Sequence, residues 1–350
     1  MLHRFARPFL VIALVASAAA LAQPTGTLLV LNKADDTAQF IAQPSGETVA
    51  TLATGNGPHE AAVSPDGRWA IAANYEDRTA STLTVYDAHA MEPVRTIDLG
   101  ESRSPHGLAF VGGSSVLAVT CEGSAHLVLV DVETGEVQAR IATEARGSHM
   151  VAVTPDGARA FVANIPDGTV SAIDLVERKL LGVIPTGPGA EGIDITPDGR
   201  EVWVTNRAAD SVSVIDSQTL DEIETVMCAG FPIRCKVTPD GQRVLVSCAT
   251  AGEVAVFDRK TRTVTKRIAV LDRGEGNDLG PIGVLITPDG THAFVANSSR
   301  HEVVVIDLGT LGVIDLGTLG VIARLETGSV PDGLAFIERT PDVVPLGESP

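Results

Sequence analysis

Short apolar runs alternating with polar positions recur along almost the whole chain, about every 42 residues. One copy reads Ala190-Glu191-Gly192-Ile193-Asp194-Ile195, then Val202-Trp203-Val204-Thr205-Asn206, then Val212-Ser213-Val214-Ile215-Asp216. Alternation of period two, bounded by turn residues, predicts strands. Each copy offers three or four of them, too few to bury a hydrophobic face alone, but stacked copies bury one together. The pattern predicts an all-β chain folded as a β-propeller.

The residue ending the second strand of each copy sets the register: Asn32, Asn74, Cys121, Asn164, Asn206, Cys248 and Asn297. The third strand ends ten residues later in every copy but one, at Ala42, Asp87, Asp131, Asp174, Asp216, Asp258 and Asp307. The expectation is seven blades of four antiparallel strands. A lone first strand near the C-terminus, from Pro331 to Ile337, lacks the three strands that Thr27 to Leu52 supply. The last blade is therefore closed by N- and C-terminal strands, which leaves no open sheet edge, and a monomer is expected. The propeller accounts for residues 23–337 with no room for a second domain, and 338–350 read as a disordered tail.

Pro-Asp-Gly beginning at Pro65, Pro155, Pro197, Pro239 and Pro288 suits a tight turn between first and second strands. Proline presets φ there and glycine accepts a positive φ. The Asp closing the third strand can bond the backbone of the following turn; Ala42 cannot, so that hairpin should be the loosest. The octapeptide VIDLGTLG occurs twice in succession, from Val305 and from Val313, and reads as an in-frame duplication lengthening one hairpin.

Residues 1–22 carry Arg4 and Arg7, the apolar run Phe9 to Leu21, and Ala20-Leu21-Ala22 before Gln23. This is the pattern of a cleavable signal peptide, too short to span a bilayer, so the expected location is periplasmic or secreted with no membrane span. Loss of the two leader arginines takes the formal charge from −18 to −20. A surface that acidic disfavours nucleic acid. In an oxidising compartment the cysteines invite a disulfide. One bridge among Cys228, Cys235 and Cys248 is expected, with Cys121 unpaired; the alternative is that Cys121 and Cys248 replace Asn as small buried residues. Covalent haem is excluded by the lack of Cys-x-x-Cys-His.

Residues that change from copy to copy are the candidates for function. Loops entering a blade and loops after its second strand share one face, the top; the Pro-Asp-Gly turns lie at the bottom. Just inside each innermost strand stand His59, His106, His149, Glu191, Ile233, Ile282 and Asp332. The next position is usually small, but is Glu60, Met150 and Arg234 in three copies, while Tyr75, Glu122 and Arg207 follow the strand-two anchors. A top-face site for a small ligand or protein partner is expected at His59, Glu60, His106, Glu122, His149, Glu191, Arg207 and Arg234. Either arginine could clamp an anion, and the loop Leu271 to Gly280 could cover the mouth. His59, His106, His149 and Glu191 could instead hold a divalent metal ion, which would make a hydrolase or lyase the alternative. Hydrolase nucleophile elbows, phosphate loops and dinucleotide fingerprints are missing.

Phe161-Val162-Ala163-Asn164, Trp203-Val204-Thr205-Asn206 and Phe294-Val295-Ala296-Asn297 each follow Pro-Asp-Gly and precede a Val-rich strand ending in Ile-Asp or Val-Ile-Asp. These segments resemble the YVTN-repeat (YncE-like) seven-bladed propellers. The resemblance covers essentially the whole mature chain and implies an exported protein, in a family that includes surface-layer and periplasmic binding proteins. Related propellers include lactonase-type enzymes and virginiamycin lyase. With no catalytic motif recognised, a binding or scaffold role is the expectation.

Overall fold

The structure, a computed structural model, describes residues 24–75, 79–271, 280–309 and 320–338. The leader, most of the Leu271 to Gly280 loop, most of the octapeptide pair and the tail after Glu338 lie outside the described residues. Seven antiparallel four-stranded sheets form the blades. Six are built from four consecutive strands each, within residues 58–98, 105–142, 148–185, 190–227, 232–269 and 281–326, here blades I to VI. Blade VII takes its innermost strand, β28 (Pro331–Ile337), from the C-terminus and β1 (Gly26–Asn32), β2 (Thr37–Gln43) and β3 (Thr48–Ala53) from the N-terminus. The expected closure is what the chain adopts: Thr27 pairs with Ile337 and Leu29 with Ala335.

The innermost strands, β4 (Pro58–Val63), β8 (Pro105–Phe110), β12 (Ser148–Val153), β16 (Ala190–Ile195), β20 (Pro232–Val237), β24 (Pro281–Ile286) and β28, contact one another in cyclic order around a central channel. Second and third strands are buried on both faces, because each blade packs against two neighbours. Val170, Val204 and Ile215 of blades III and IV share one apolar layer, and Phe40 and Tyr86 join blade VII to blade I. Outermost strands alternate exposed and half-buried, as in Lys179–Pro185, since only one face meets the protein.

The turn chemistry follows the sequence closely. In each Pro-Asp-Gly turn the Asp carboxylate accepts a Ser or Thr hydroxyl two residues back and a backbone N–H two residues on, as Asp66 does from Ser64 and Arg68. Asp156, Asp198, Asp240 and Asp289 repeat the arrangement. The Asp closing the third strand caps the next turn: Asp87 accepts from His89 and Ala90, Asp216 from Gln218 and Thr219. The Ala42 hairpin lacks that carboxylate: besides the backbone bonds from Ala42 to Glu47 and from Gly46 to Ala42, the Ser45 hydroxyl donates to the Ala42 carbonyl and accepts the Glu47 amide.

Candidate functional site

Every innermost strand carries a β-bulge at the same place. In blade I the pairing steps from Pro58↔Asn74 to Ala61↔Ala72, so His59 and Glu60 together oppose a single residue. The same shift sets off residues 106–107, 149–150, 191–192, 233–234, 282–283 and 332–333. A bulge re-aims its side chains, and here it places two ring positions per blade at the channel. In blades II, IV and V a hydroxyl one residue before the strand-two anchor supports the bulge. Thr120, Thr205 and Ser247 accept the amides of Gly107, Gly192 and Arg234. The same hydroxyls donate to the carbonyls of His149, Ile233 and Ile282 in the next blade. Blades approach so closely at this level that a side chain on Gly192 or Gly333 would strike the neighbouring strand beside Arg234 or Glu60. Large side chains therefore stand in alternate places.

The bulges bring the predicted residues together as one connected network. Tyr75 donates to Glu122 Oε2 over 2.9 Å, and His149 Nδ1 meets the same oxygen at 3.1 Å. His149 Nε2 lies 3.4 Å from Glu191 Oε1. Glu191 also accepts from Arg234 Nη1 at 2.9 Å and from Arg207. Arg234 then crosses the channel to blade I, donating to Glu60 Oε1 from Nη2 at 2.8 Å and from Nε at 3.2 Å. Beside this chain four rings lie in sequence, tilted to one another: Tyr75 lies 4.2 Å from His59, His59 5.0 Å from His106, and His106 3.6 Å from His149, centroid to centroid.

Burial and charge divide the three imidazoles. His59, whose Nδ1 faces the Gly57 carbonyl at 2.8 Å, is pushed down to about 3, chiefly by burial. Burial and the nearby His149 hold His106 well below the usual histidine range. Both rings are neutral at ordinary pH. Burial opposes charge on His149 too, but its hydrogen bonds to Glu122 and Glu191 outweigh that and raise it. Glu191 shows the converse: burial alone would raise it, yet His149, Arg234 and Arg207 bring it down to about 2. Asp332 is raised by burial.

Two groups in this mouth stand apart. His106 is fully buried, and neither ring nitrogen has a partner among the described residues. Asp332, 5 % exposed, has one unpartnered carboxylate oxygen. Below the Arg234–Glu60 bridge the channel continues as a cavity of about 260 Å³, lined by Leu108, Met150, Leu334 and Phe336 with Lys236. Lys236 pairs with Asp194 at 3.7 Å.

All eight sequence-predicted residues thus meet at one level, and several of them are deeply buried. His106 is 0 %, Glu191 4 % and Arg234 6 % exposed. Both guanidiniums expected to clamp an anion already face carboxylates. Arg207, at the rim, also lies over the Phe231 ring at 5.5 Å. The metal-ligand reading of His59, His106, His149 and Glu191 gains no support from this geometry. Among the described residues no group of three or more His, Cys, Asp or Glu is arranged to hold a metal ion. Both His149 nitrogens face carboxylates. The bulges and their Thr120, Thr205 and Ser247 supports were not anticipated. Their signal was the hydroxyl before the anchor in three copies only.

A profile of the YNCE-like beta-propeller family matches residues 98–278, more than half of the chain. The chain belongs to this family. A comparison with curated proteins finds no match. Among solved structures, Kuenenia stuttgartiensis hydrazine synthase is similar with TM-score 0.69 and 20% identity, over 79% of this chain and 88% of that one. A functionally unknown protein from Desulfotomaculum acetoxidans DSM 771 aligns with TM-score 0.74 and 16% identity, over 91% of this chain and 100% of that one. Dihydro-heme d1 dehydrogenase NirN in complex with DHE aligns with TM-score 0.63 and 17% identity, over 90% and 76%. At these identities the likeness is one of fold. None of the described helices is long and apolar enough to cross a membrane.

Proposed function

We propose that this YNCE-like propeller is an exported binding or scaffold protein whose top-face channel mouth holds a small polar ligand. The observation that carries the reading is the pair of unanswered groups, both nitrogens of buried His106 and one oxygen of buried Asp332. A buried polar atom without a partner costs about 1–3 kcal/mol, and a ligand bearing hydroxyl or amide groups would satisfy them. A neutral imidazole donates from one nitrogen and accepts at the other, so such a ligand can be answered in both senses. The charged network around it is internally paired and holds the pocket's shape without demanding a charged guest. Export is supported by the leader-like residues 1–22, and would be checked by finding Gln23 as the first residue of the fractionated protein.

The metal-dependent alternative has no comparable observation in its favour. The binding reading is tested by thermal-shift titration with a panel of polyols, sugars and amino acids, repeated on a His106→Phe variant. Phenylalanine keeps a ring in the stack and removes both nitrogens. The expected result is a stabilising compound whose effect disappears in His106→Phe. A panel without effect, or a compound equally effective on the variant, contradicts the reading.

A further inference from the structure

One blade departs from the others at a second place, behind the channel. In each blade the loop entering from the previous blade begins with a residue whose amide bonds the carbonyl before the previous blade's third strand. Thr54 does so to Asp36, Leu99 to Ser81, Thr143 to Ala125, Thr186 to Gly168, Cys228 to Asp210, Val270 to Gly252 and Thr327 to His301. This conserved backbone bond aligns the loops residue by residue, each against its own strand-two anchor. The equivalent positions, first loop residue and anchor, are Thr54 and Asn74, Leu99 and Cys121, Thr143 and Asn164, Thr186 and Asn206, Cys228 and Cys248, Val270 and Asn297, and Thr327 and Asn32.

In the common form the anchor Asn is fixed by the third strand. Asn74 donates to Thr82 and Thr84 and accepts the Gly55 amide at 2.9 Å; Asn206 donates to Ser211 and Ser213. In blades I, IV and VII its bulk calls for glycine next in the loop, since a Cβ on Gly55, Gly187 or Gly328 would collide with that Asn. Blade V changes all of this together. Asn becomes Cys248, Thr becomes Cys228, glycine becomes Ala229, and the third-strand hydroxyl becomes Ala255. The two sulfurs lie 3.6 Å apart, and both residues are 0 % exposed. Blade II, which keeps the loop glycine as Gly100 but replaces both the anchor and the loop Thr, sets Cys121 against Leu99 within one apolar cluster. Cys235 turns away, its thiol donating to the Trp203 carbonyl at 3.3 Å.

The geometry points to Cys228 and Cys248 as the site of an intrablade disulfide that takes over the anchor's task in blade V. The structure holds all four cysteines as free thiols, the reduced form of this site. The hydrogen bond from the Cys228 thiol, assisted by the Arg267 guanidinium 3.8 Å from its sulfur, holds Cys248 below the usual thiol range. The chemistry is exchange with a small-molecule or protein disulfide of the exported compartment. Cys248 thiolate attacks one sulfur of that disulfide and expels a thiolate. Cys228, losing its proton, then displaces the second thiolate from the mixed disulfide. The two cysteines give up two electrons and two protons, and the incoming disulfide is reduced to two thiols. Exchange takes place while the blade closes, before both sulfurs are covered. The bond would tie the segment from Cys228 to Phe231, which holds Phe231 at φ 60° with its amide on Asp210 Oδ1. Phe231 is the residue over which Arg207 lies. The inference does not depend on what the channel mouth binds.

The test is to refold the full chain with oxidised glutathione, alkylate under denaturing conditions without reductant, and digest with trypsin. Cleavage after Arg207, Arg234, Lys236, Arg243 and Arg259 puts Cys228, Cys235 and Cys248 on separate peptides. The expected product joins peptides 208–234 and 244–259, two hydrogens lighter than their sum, with Cys121 and Cys235 alkylated. Reduction should lower Tm by about 5 °C in the wild type and leave a Cys228→Ser/Cys248→Ser variant unmoved. Four alkylated cysteines, or a bridge to Cys235, overturns the inference. So does a wild-type Tm indifferent to reductant in a protein shown to be cross-linked.

Discussion

The two ends of the ring are built from the same repeat yet by opposite rules. At the bottom, five blades use one Pro-Asp-Gly formula, and each carboxylate answers a hydroxyl and an amide within five residues of itself. At the top, Glu60, Glu122, His149, Glu191 and Arg234 come from five blades and answer one another across the channel. A local turn can be copied from blade to blade, because it needs only its own neighbours. A network that closes around a lumen needs a different group at each azimuth, so there the copies must diverge. The bulges make both possible, since they project two residues per blade inward without disturbing the ladder on either side.

Removing residues 331–350 attacks what both ends share. Without β28, blade VII loses its innermost strand and Asp332, and the ring opens. The expected outcome is loss of cooperative melting; an unchanged melting curve would contradict closure by the termini. Next in size is Arg234→Ala. It leaves buried Glu191 and half-buried Glu60 without the guanidinium that pairs them, and breaking a buried pair costs about 3–5 kcal/mol. Denaturant unfolding measures this directly, and a cost below about 1 kcal/mol, usual for an exposed position, would mean the mouth is as wet as a surface rim. At the bottom, Asp156→Ala removes one carboxylate from an exposed turn and should cost only about 1 kcal/mol. Equal losses at the two ends would dissolve the contrast.

The blade count, the shared blade and the turn carboxylates were legible because they are periodic: each repeats the same residue at the same offset. The eight mouth residues were legible as departures from that period. Their burial was not. A sequence register reports that Arg234 and Glu60 sit at equivalent positions, but they belong to blades that are not adjacent, and only the closed ring shows that one reaches the other. The bulges were hidden for a related reason, since an extra inward residue leaves the spacing between anchors unchanged. The thiol pair falls between. Cys228 and Cys248 were visible as candidates with Cys235, but the choice between them required the backbone bond from Cys228 to Asp210 that aligns it with Thr54 and Thr186.

Acidity separates the ends more gently. His59 and His106 are held neutral when folded, so an unfolded chain takes up protons that the fold refuses, and stability falls as pH drops below the unfolded histidine value of about 6.5. His149 has the opposite sign: its raised value contributes stability fully present below about 6.5 and lost as pH climbs through the folded value. Glu191, lowered to about 2, contributes stability present above the unfolded glutamate value and lost as pH falls toward 2. In a pH series of melting temperatures, His106→Gln should therefore flatten the decline below about 6.5. An unaltered slope would show that His106 is not held neutral by the mouth.

The most direct measurement is ring-nitrogen NMR of the histidines while a stabilising compound from the polyol, sugar and amino-acid panel is added, with the glycine amides of the bottom turns followed in parallel. The account predicts that the two His106 ring nitrogens shift on binding, while the amides of Gly157, Gly199 and Gly241 stay in place. Shifts at those three glycines with His106 unmoved would contradict it, placing the recognition site on the face built from the repeated Pro-Asp-Gly turns.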